Sequence, residues 1–109
     1  MKMESTLGLI KALIAAGEVV ISDHGYDELA ADGLTVDEVL RGVSEAQEIE
    51  DYPDYQKGRC VLVLQSDHAG GPIHAVWGIR RGTTTPAVLV TAYRPDPDRW
   101  QSPTTRRKS

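Results

Sequence analysis

The sequence lacks the features of several protein classes. It has no Phe and a single Cys, which excludes a disulfide framework and a Cys-rich zinc module. No apolar run approaches the ~20 residues that a membrane-spanning helix needs, so we expect no contact with a membrane. The apolar stretch 7–16 is interrupted by Lys11 and makes a poor signal peptide, so we expect a cytoplasmic protein.

The length of 109 residues predicts one domain with one modest core. An apolar fraction of 40% is typical of a globular chain rather than a disordered one. From Pro95 onward the chain has three prolines, no aliphatic residue and a basic end. We therefore place the domain at 1–96 and expect 97–109 to be an extended or disordered basic tail.

The net charge of −4 conceals two halves of opposite sign. Residues 1–55 contain thirteen acids and three bases, whereas 56–109 contain three acids and nine bases. An acidic protein is a poor candidate for nucleic-acid binding. Binding responds to the local field, however, so the basic half keeps that function open.

The first half of the chain reads as helices around one short strand. Apolar spacing predicts a helix at 6–16, capped by Ser5 or Thr6, and β-branched residues predict a strand at 18–22. Asp23 is the predicted N-cap of a short helix over 24–32. Thr35 and Glu38 form a capping box, which predicts a helix over 36–46.

The second half reads as strands joined by turns. A weak edge strand at 46–51 precedes apolar runs at 59–65, 73–80 and 87–94. Turn residues separate these runs, which is typical of an antiparallel meander. We predict an α+β fold in which the N-terminal helices pack on one face of an antiparallel β-meander sheet of about four strands.

His24 is the first candidate for chemistry, because it stands where the first strand gives way to a helix. The helix dipole disfavours a cationic imidazole at a helix N-terminus, which suits a proton acceptor or a hydrogen-bond donor to a carbonyl. The alternative is a structural histidine that ties the strand to the helix by hydrogen bonds.

Two further candidates lie on the predicted strands. Alternation puts His74 on one face with Gly78 and Arg80, and Gly78 leaves a notch in which a phosphate would fit. The same alternation puts Tyr93 on the side of Leu89, with Arg94 on the other side as a phosphate clamp. The alternatives are a partly exposed strand histidine and a core tyrosine.

The remaining polar residues do not form a recognisable site. Asp51 and Asp54 are interpreted as parts of a solvated turn, and Cys60 as an inert core thiol. Cys60 and the three histidines show none of the usual zinc-ligand spacings. A P-loop and a dinucleotide fingerprint are also missing. We therefore expect no metal and no cofactor.

The chain resembles the DUF4258 family, a family of domains of unknown function, over residues 18–96. The first part of the resemblance is ISDHGYDELAADGLTVDEVLRGVSEAQEIEDYP, where a strand ends in a histidine and a capping box opens a helix. The later segments GRCVLVLQSD, GGPIHAVWGI and AVLVTAYRPD match the family's meander. The family histidine corresponds to His24 and its terminal-strand tyrosine to Tyr93, while His74 matches a frequent strand histidine.

The resemblance implies a fold like that of the RelE, ParE and BrnT toxins and, more distantly, of the MqsR ribonucleases. Such proteins are often encoded beside a small antitoxin, and a zinc-finger or helix-turn-helix antitoxin is the implied partner. The resemblance further implies that RNA lies on the sheet. RNA and a second copy of the chain, forming a homodimer, are further candidate partners.

One departure from the family moves the expected RNA contacts. The family usually carries arginines after its histidine, whereas this chain reads HGYDELAADG there. That helix cannot attract phosphate by charge, so binding has to use the later basic residues. These residues are Arg59, Arg80, Arg81 and Arg94.

The sequence thus supports a leading hypothesis and two alternatives. The leading one is the toxin of a type II toxin–antitoxin pair that acts as a metal-independent endoribonuclease, with His24, His74 and Tyr93 as candidate catalytic residues. The alternatives are a non-catalytic protein-interaction module, in which the acidic half binds a basic partner, and an RNA-binding domain that does not cleave.

Overall fold

A computed structural model describes residues 5–95, 100–102 and 105–106 of the chain. The domain is α+β, with three α-helices and a mixed sheet of five strands in its described part. In chain order the elements are α1 (Thr6–Ala15), β1 (Val19–Ile21), α2 (Asp23–Ala31), α3 (Val36–Gly42), a 3-10 turn (Val43–Glu45), β2 (Gln47–Tyr52), β3 (Cys60–Ser66), β4 (Pro72–Gly78) and β5 (Ala87–Tyr93).

Polar side chains start each helix. Ser5 caps α1 by accepting the amide of Gly8, and the capping box of Thr35 and Glu38 starts α3 as predicted. The predicted cap of α2 was wrong by one residue. Ser22, not Asp23, keeps the extended backbone of the strand and accepts the amide of Gly25, so Asp23 is already helical.

The helix that starts at Val36 is shorter than predicted. It ends at Gly42 and tightens into the 3-10 turn, instead of continuing to residue 46. A Cβ on Gly42 would come within 2.9 Å of the Ser66 carbonyl oxygen. This close approach of α3 to the end of β3 fixes where the helix stops against the sheet.

The sheet departs from the predicted four-stranded meander. Strands β2 to β5 do form antiparallel neighbours in sequence order, with β2 at one edge. The fifth strand, β1, lies parallel to β5 and pairs Val19 with Ala87 and Ile21 with Leu89. The sheet is therefore mixed, because the open edge of β5 provides the hydrogen bonds that the short β1 needs.

One face of the sheet carries the helices and the hydrophobic core. Trp77, Ile73 and Leu89 are fully buried on this face, together with Ile10 of α1 and Val39 of α3. The prediction that helices cover one face of the sheet agrees with this arrangement. None of the described helices has the length and apolar character needed to cross a bilayer.

A bulge in β5 changes which side chains share a face. On β4, Val76 and Trp77 are consecutive, but their partners on β5 are Thr91 and Leu89. The extra residue reverses the alternation, so Tyr93 lies opposite His74 and not on the side of Leu89. The alternation-based prediction for Tyr93 was wrong for this reason.

The tail prediction for residues 97–109 falls mainly outside the described residues. Two short backbone segments are described there, β6 (Trp100–Ser102) and β7 (Thr105–Arg106), which pair in antiparallel fashion.

A buried glutamine joins the sheet to α3. The indole nitrogen of Trp77 donates to Oε1 of Gln65 at 2.8 Å, and Nε2 of Gln65 donates to the carbonyl of Val39 at 2.8 Å. Gln65 is only 2% exposed. Water does not reach these groups, so each depends on the glutamine for its hydrogen bond.

We expect Gln65→Met to lower the free energy of unfolding by about 2–4 kcal/mol. The substitution keeps the side-chain volume but leaves the buried indole N–H of Trp77 and the buried carbonyl of Val39 without their hydrogen bonds to Gln65. Urea unfolding of the purified protein measures the change. Gln47→Met, at an exposed position on β2, is the control, and we expect it to change stability by less than about 0.5 kcal/mol. Equal effects of the two substitutions would contradict the role of Gln65.

Candidate nucleic-acid interface

The candidate residues lie at two opposite ends of the meander. Arg59 and Arg80 lie where β3 begins and β4 ends, whereas His74 and Tyr93 lie towards the turn that joins β3 to β4. His74 and Arg80 are six residues apart on an extended chain, which corresponds to about 20 Å. The two groups therefore cannot act on the same phosphate.

A groove of about 640 Å³ opens at the arginine end, and we call it the Gly78 groove. Its floor is formed by the strand residues Cys60, Val76, Gly78, Val88 and Val90. Around the floor stand three cations and two tyrosines, together with Ser22 at the start of α2. The cations are Lys57, Arg59 and Arg80, and the tyrosines are Tyr52 and Tyr55.

Backbone hydrogen bonds beyond the strand ends position these cations. The amide of Ile79 donates to the carbonyl of Arg59 at 3.0 Å, and the amide of Arg81 donates to that of Lys57 at 2.9 Å. Gly58 allows this approach, since it has a φ of +127° and a Cβ there would lie 2.1 Å from the Ile79 oxygen. The two chain segments are therefore held side by side, and their basic side chains are gathered together.

The four predicted arginines have different environments. Arg80 and Arg81 are exposed, as is Lys57. Arg59 is half-buried, and its Nε donates to the hydroxyl of buried Thr6 at 3.0 Å, which fixes the start of α1 to the sheet. A second cavity of about 550 Å³ shares Arg59 and Arg80 with the groove and adds Arg81. The positive charge thus continues around this end of the domain.

Arg94 lies at the opposite end and is engaged by carboxylates. Its Nη1 donates to Oδ2 of Asp67 at 2.8 Å, and its backbone amide donates to Asp32 at 2.8 Å. The hydrogen bond from Arg94 lowers the pKa of Asp67 below its usual range, and the amides of Gly71 and Ala69 lower it further. These contacts stabilise the turn between β3 and β4, away from the Gly78 groove.

His74 is completely buried, with 0% of its surface exposed. Its ring meets the ring of Tyr93 edge to face, at a centroid distance of 5.5 Å and an angle of 71°. The predicted notch at Gly78 exists and Arg80 lines it, but His74 does not. The sequence could not show this, because alternation gives a side chain's face and not its depth.

His24 is the most exposed of the three candidate catalytic residues. Its side chain is 66% exposed, and its Nε2 lies 3.7 Å from the carboxylate of Glu28, one turn further along α2. Ser22, two residues earlier, lines the Gly78 groove, and its hydroxyl donates to the carbonyl of Val90. His24 thus lies in the first turn of α2, two residues after a residue of the groove, but it is not itself among the residues that line the groove.

Sequence reasoning missed Lys57, Tyr52 and Tyr55 as members of this site. Tyr55 is 54% exposed, and the Tyr52 hydroxyl is hydrogen-bonded to the carboxylate of Glu50. The segment YPDYQKG does combine aromatic and basic residues, which is typical of nucleic-acid contacts. Asp54 and the preceding Asp51 led instead to its interpretation as part of a solvated turn.

The floor of the groove has no ready nucleophile. Burial raises the pKa of the Cys60 thiol, and the negative charge of Asp51 raises it further, so the thiol stays protonated at neutral pH. Among the described residues, no three His, Cys, Asp or Glu side chains are grouped so that they could hold a metal ion.

Comparison with protein families places this chain in the DUF4258 family, described as a domain of unknown function. The match covers residues 21–94, which contain most of the sheet and all of the Gly78 groove. The chain therefore belongs to this family, as the resemblance predicted. Neither the curated proteins nor the solved structures gave a match.

The contact between Arg94 and Asp67 predicts a pH-dependent contribution to stability. The pKa of Asp67 is lowered in the folded protein, so the pair stabilises the fold above the ordinary aspartate pKa of about 3.9. This stabilisation is lost as the pH falls through the lowered value. We expect Arg94→Gln to reduce the free energy of unfolding near pH 7, and the difference from wild type to shrink towards pH 2.

Urea unfolding at both pH values measures this difference. The control is Arg41→Gln, which removes an exposed arginine paired with Asp37 at 2.9 Å and is expected to change stability by less than about 0.5 kcal/mol. A deficit of Arg94→Gln that grows on acidification would contradict the assignment.

Proposed function

We propose that this domain binds single-stranded RNA in the Gly78 groove and cleaves it without a metal ion, as the toxin of a toxin–antitoxin pair. The observation that carries the proposal is the gathering of Lys57, Arg59 and Arg80 with two tyrosines around one groove. Cations that follow a groove attract the phosphate backbone, and aromatic side chains stack on bases. The apolar floor adds a surface that an unpaired base, but not a duplex, can reach.

The charge distribution directs a polyanion to this end of the molecule. Helices α2 and α3 carry acidic side chains in their first turns, namely Asp23, Asp37 and Glu38. The acidic first turn of α3 repels RNA, whereas Lys57, Arg80 and Arg81 attract it. The same acidic helices suit a basic partner, which is the role that the proposal gives to the antitoxin.

Cleavage without a metal needs a proton acceptor near a ribose 2′-hydroxyl. The 2′-oxygen then attacks the adjacent phosphorus, the bond to the 5′-oxygen breaks, and the leaving oxygen takes a proton from solvent water, which yields a 2′,3′-cyclic phosphate and a free 5′-hydroxyl. We assign the proton acceptor to His24, because it is exposed and lies in the first turn of α2, two residues after Ser22, which lines the groove. Arg80 stabilises the charge that develops on the phosphate.

The buried His74 and its neighbour Tyr93 receive a different role in this proposal. They lie about 20 Å from the end that carries Arg80, and His74 has no exposed surface. Their edge-to-face contact supports the pairing of β4 with β5, while the accessible His24 performs the proton transfer.

Binding is tested with a labelled single-stranded RNA and fluorescence anisotropy at increasing salt. Lys57→Gln and Arg80→Gln each remove one phosphate contact, so we expect each to weaken binding and to reduce the salt slope by about 0.7. Arg41→Gln removes the same charge from α3 and is expected to change neither quantity. Equal effects of all three variants would place the RNA elsewhere.

Cleavage is tested with the same RNA in the presence of a chelator. We expect His24→Ala to lower the cleavage rate by about 10²–10⁴-fold while RNA affinity stays within about twofold. His68→Ala is the control, because His68 is exposed but bonded to Glu38 at 2.6 Å and outside the groove. Expression of the wild type is expected to arrest growth, and His24→Ala to relieve the arrest.

Wild-type protein that binds RNA with a clear salt dependence but leaves it intact would contradict the catalytic part of the proposal. Wild-type protein that does not bind RNA at low salt would contradict both parts.

A further inference from the structure

We propose that the floor of the Gly78 groove is a binding site for the face of one unpaired nucleobase, which the groove selects by shape rather than by hydrogen bonds. This inference rests on the proposed binding of RNA and names the part of the RNA that the groove takes. It is carried by the position of Gly78, the chemistry of the floor and the arrangement of the rim.

Gly78 is a glycine that no positive φ requires. It is the last residue of β4 and has no positive φ, so no backbone conformation demands it. A Cβ at Gly78 would lie 3.3 Å from Cβ of Cys60, 3.4 Å from the carbonyl of Arg59 and 3.7 Å from Val90. The contact with Cys60 is tight, so an alanine fits only where Cys60 moves by a few tenths of an ångström.

Other glycines of the domain show what a required position looks like. A Cβ at Gly58 would lie 2.1 Å from a backbone oxygen, and one at Gly25 would lie 2.8 Å from the carbonyl of Leu89. Glycine within a strand weakens it and often marks a place where a ligand approaches the backbone closely. Gly78 meets this description, because its bare backbone lies on the floor of a groove.

The floor offers an apolar surface. Val76, Val88 and Val90 surround Gly78, and the neighbouring Cys60 carries an uncharged thiol. The hydroxyl of Ser22 on the wall already donates to Val90 and accepts from the amide of Gly25. Such a surface contacts the face of a planar ring but does not read the polar edge of a base.

The side chains around the floor, which we call the rim, can contact the phosphate of a bound nucleotide and the neighbouring bases. Lys57 and Arg80 are exposed cations at the edge of the floor, where a phosphate joined to the bound base finds its counter-charge. Tyr52 and Tyr55 are 37% and 54% exposed and stand beside the same floor. Neighbouring bases of the strand have aromatic faces there on which to stack.

The proposed site requires an RNA base that is neither stacked nor paired. A base in a duplex is stacked and paired, so it cannot lay its face on the floor, and the groove therefore takes single strands. Since the floor lacks groups that read base edges, we expect the four bases to bind with similar affinity, in the order of their stacking strength.

Filling the floor tests the proposal. We compare Gly78→Ala and Gly78→Val with wild type, using a short single-stranded RNA and inorganic polyphosphate, which has the charges of RNA but no bases. We expect Gly78→Val to weaken RNA binding about tenfold, Gly78→Ala to weaken it less, and both to bind polyphosphate within about twofold of wild type. Circular dichroism and polyphosphate binding report on the fold of each variant.

Each other outcome overturns the proposal in a recognisable way. If the Gly78 variants bind RNA as well as wild type does, no base lies on the floor, although the proposed function stands. If RNA and polyphosphate binding fall together, the groove holds phosphate alone. If wild type binds neither probe, the proposed function itself fails. If Gly78→Val converts a dimer into a monomer on size-exclusion chromatography, the floor is the contact between two copies of the chain.

Discussion

Trp77 lies in the middle of the core, where its indole N–H needs an acceptor that water cannot supply. Gln65 on the adjacent strand β3 accepts this hydrogen bond through Oε1, and its Nε2 donates a second one to the carbonyl of Val39 in α3. Because all three groups are buried, the hydrogen bonds fix the position of α3 against β3 and β4 more strictly than apolar contacts would. The close approach of Gly42 to the end of β3 follows from this arrangement.

The two ends of this sheet carry basic side chains in different environments. At the turn between β3 and β4, the carboxylate of Asp67 holds the guanidinium of Arg94, and the ring of His74 is enclosed beside Tyr93. At the other end the chain segments around Gly58 and Ile79 continue the pairing beyond the strands and present Lys57, Arg80 and Arg81 to solvent. The net charge of −4 therefore hides a cationic end, which is where the Gly78 groove opens.

The DUF4258 family is described as a domain of unknown function, so the proposed function depends on the groove. The groove combines exposed cations, exposed tyrosines and an uncharged floor. Ser22, which also lines the groove, is the N-cap of the helix that carries His24. In the proposed function, different residues bind the phosphate, bind the base and accept the proton.

The sequence by itself determined the local elements and the overall class of the fold. The capping box at Thr35, the period of α1 and the apolar runs of β3 to β5 are local signals, and short-range sterics and hydrogen bonds act on them directly. The arginines of the groove were likewise predicted, as was the notch at Gly78. Only the tertiary structure decided that β1 joins β5, that a bulge turns Tyr93 towards His74, and that Lys57 and Tyr55 stand beside Arg80. Each of these depends on pairing between segments far apart in the chain, and a one-residue change in register reverses the face of every side chain that follows.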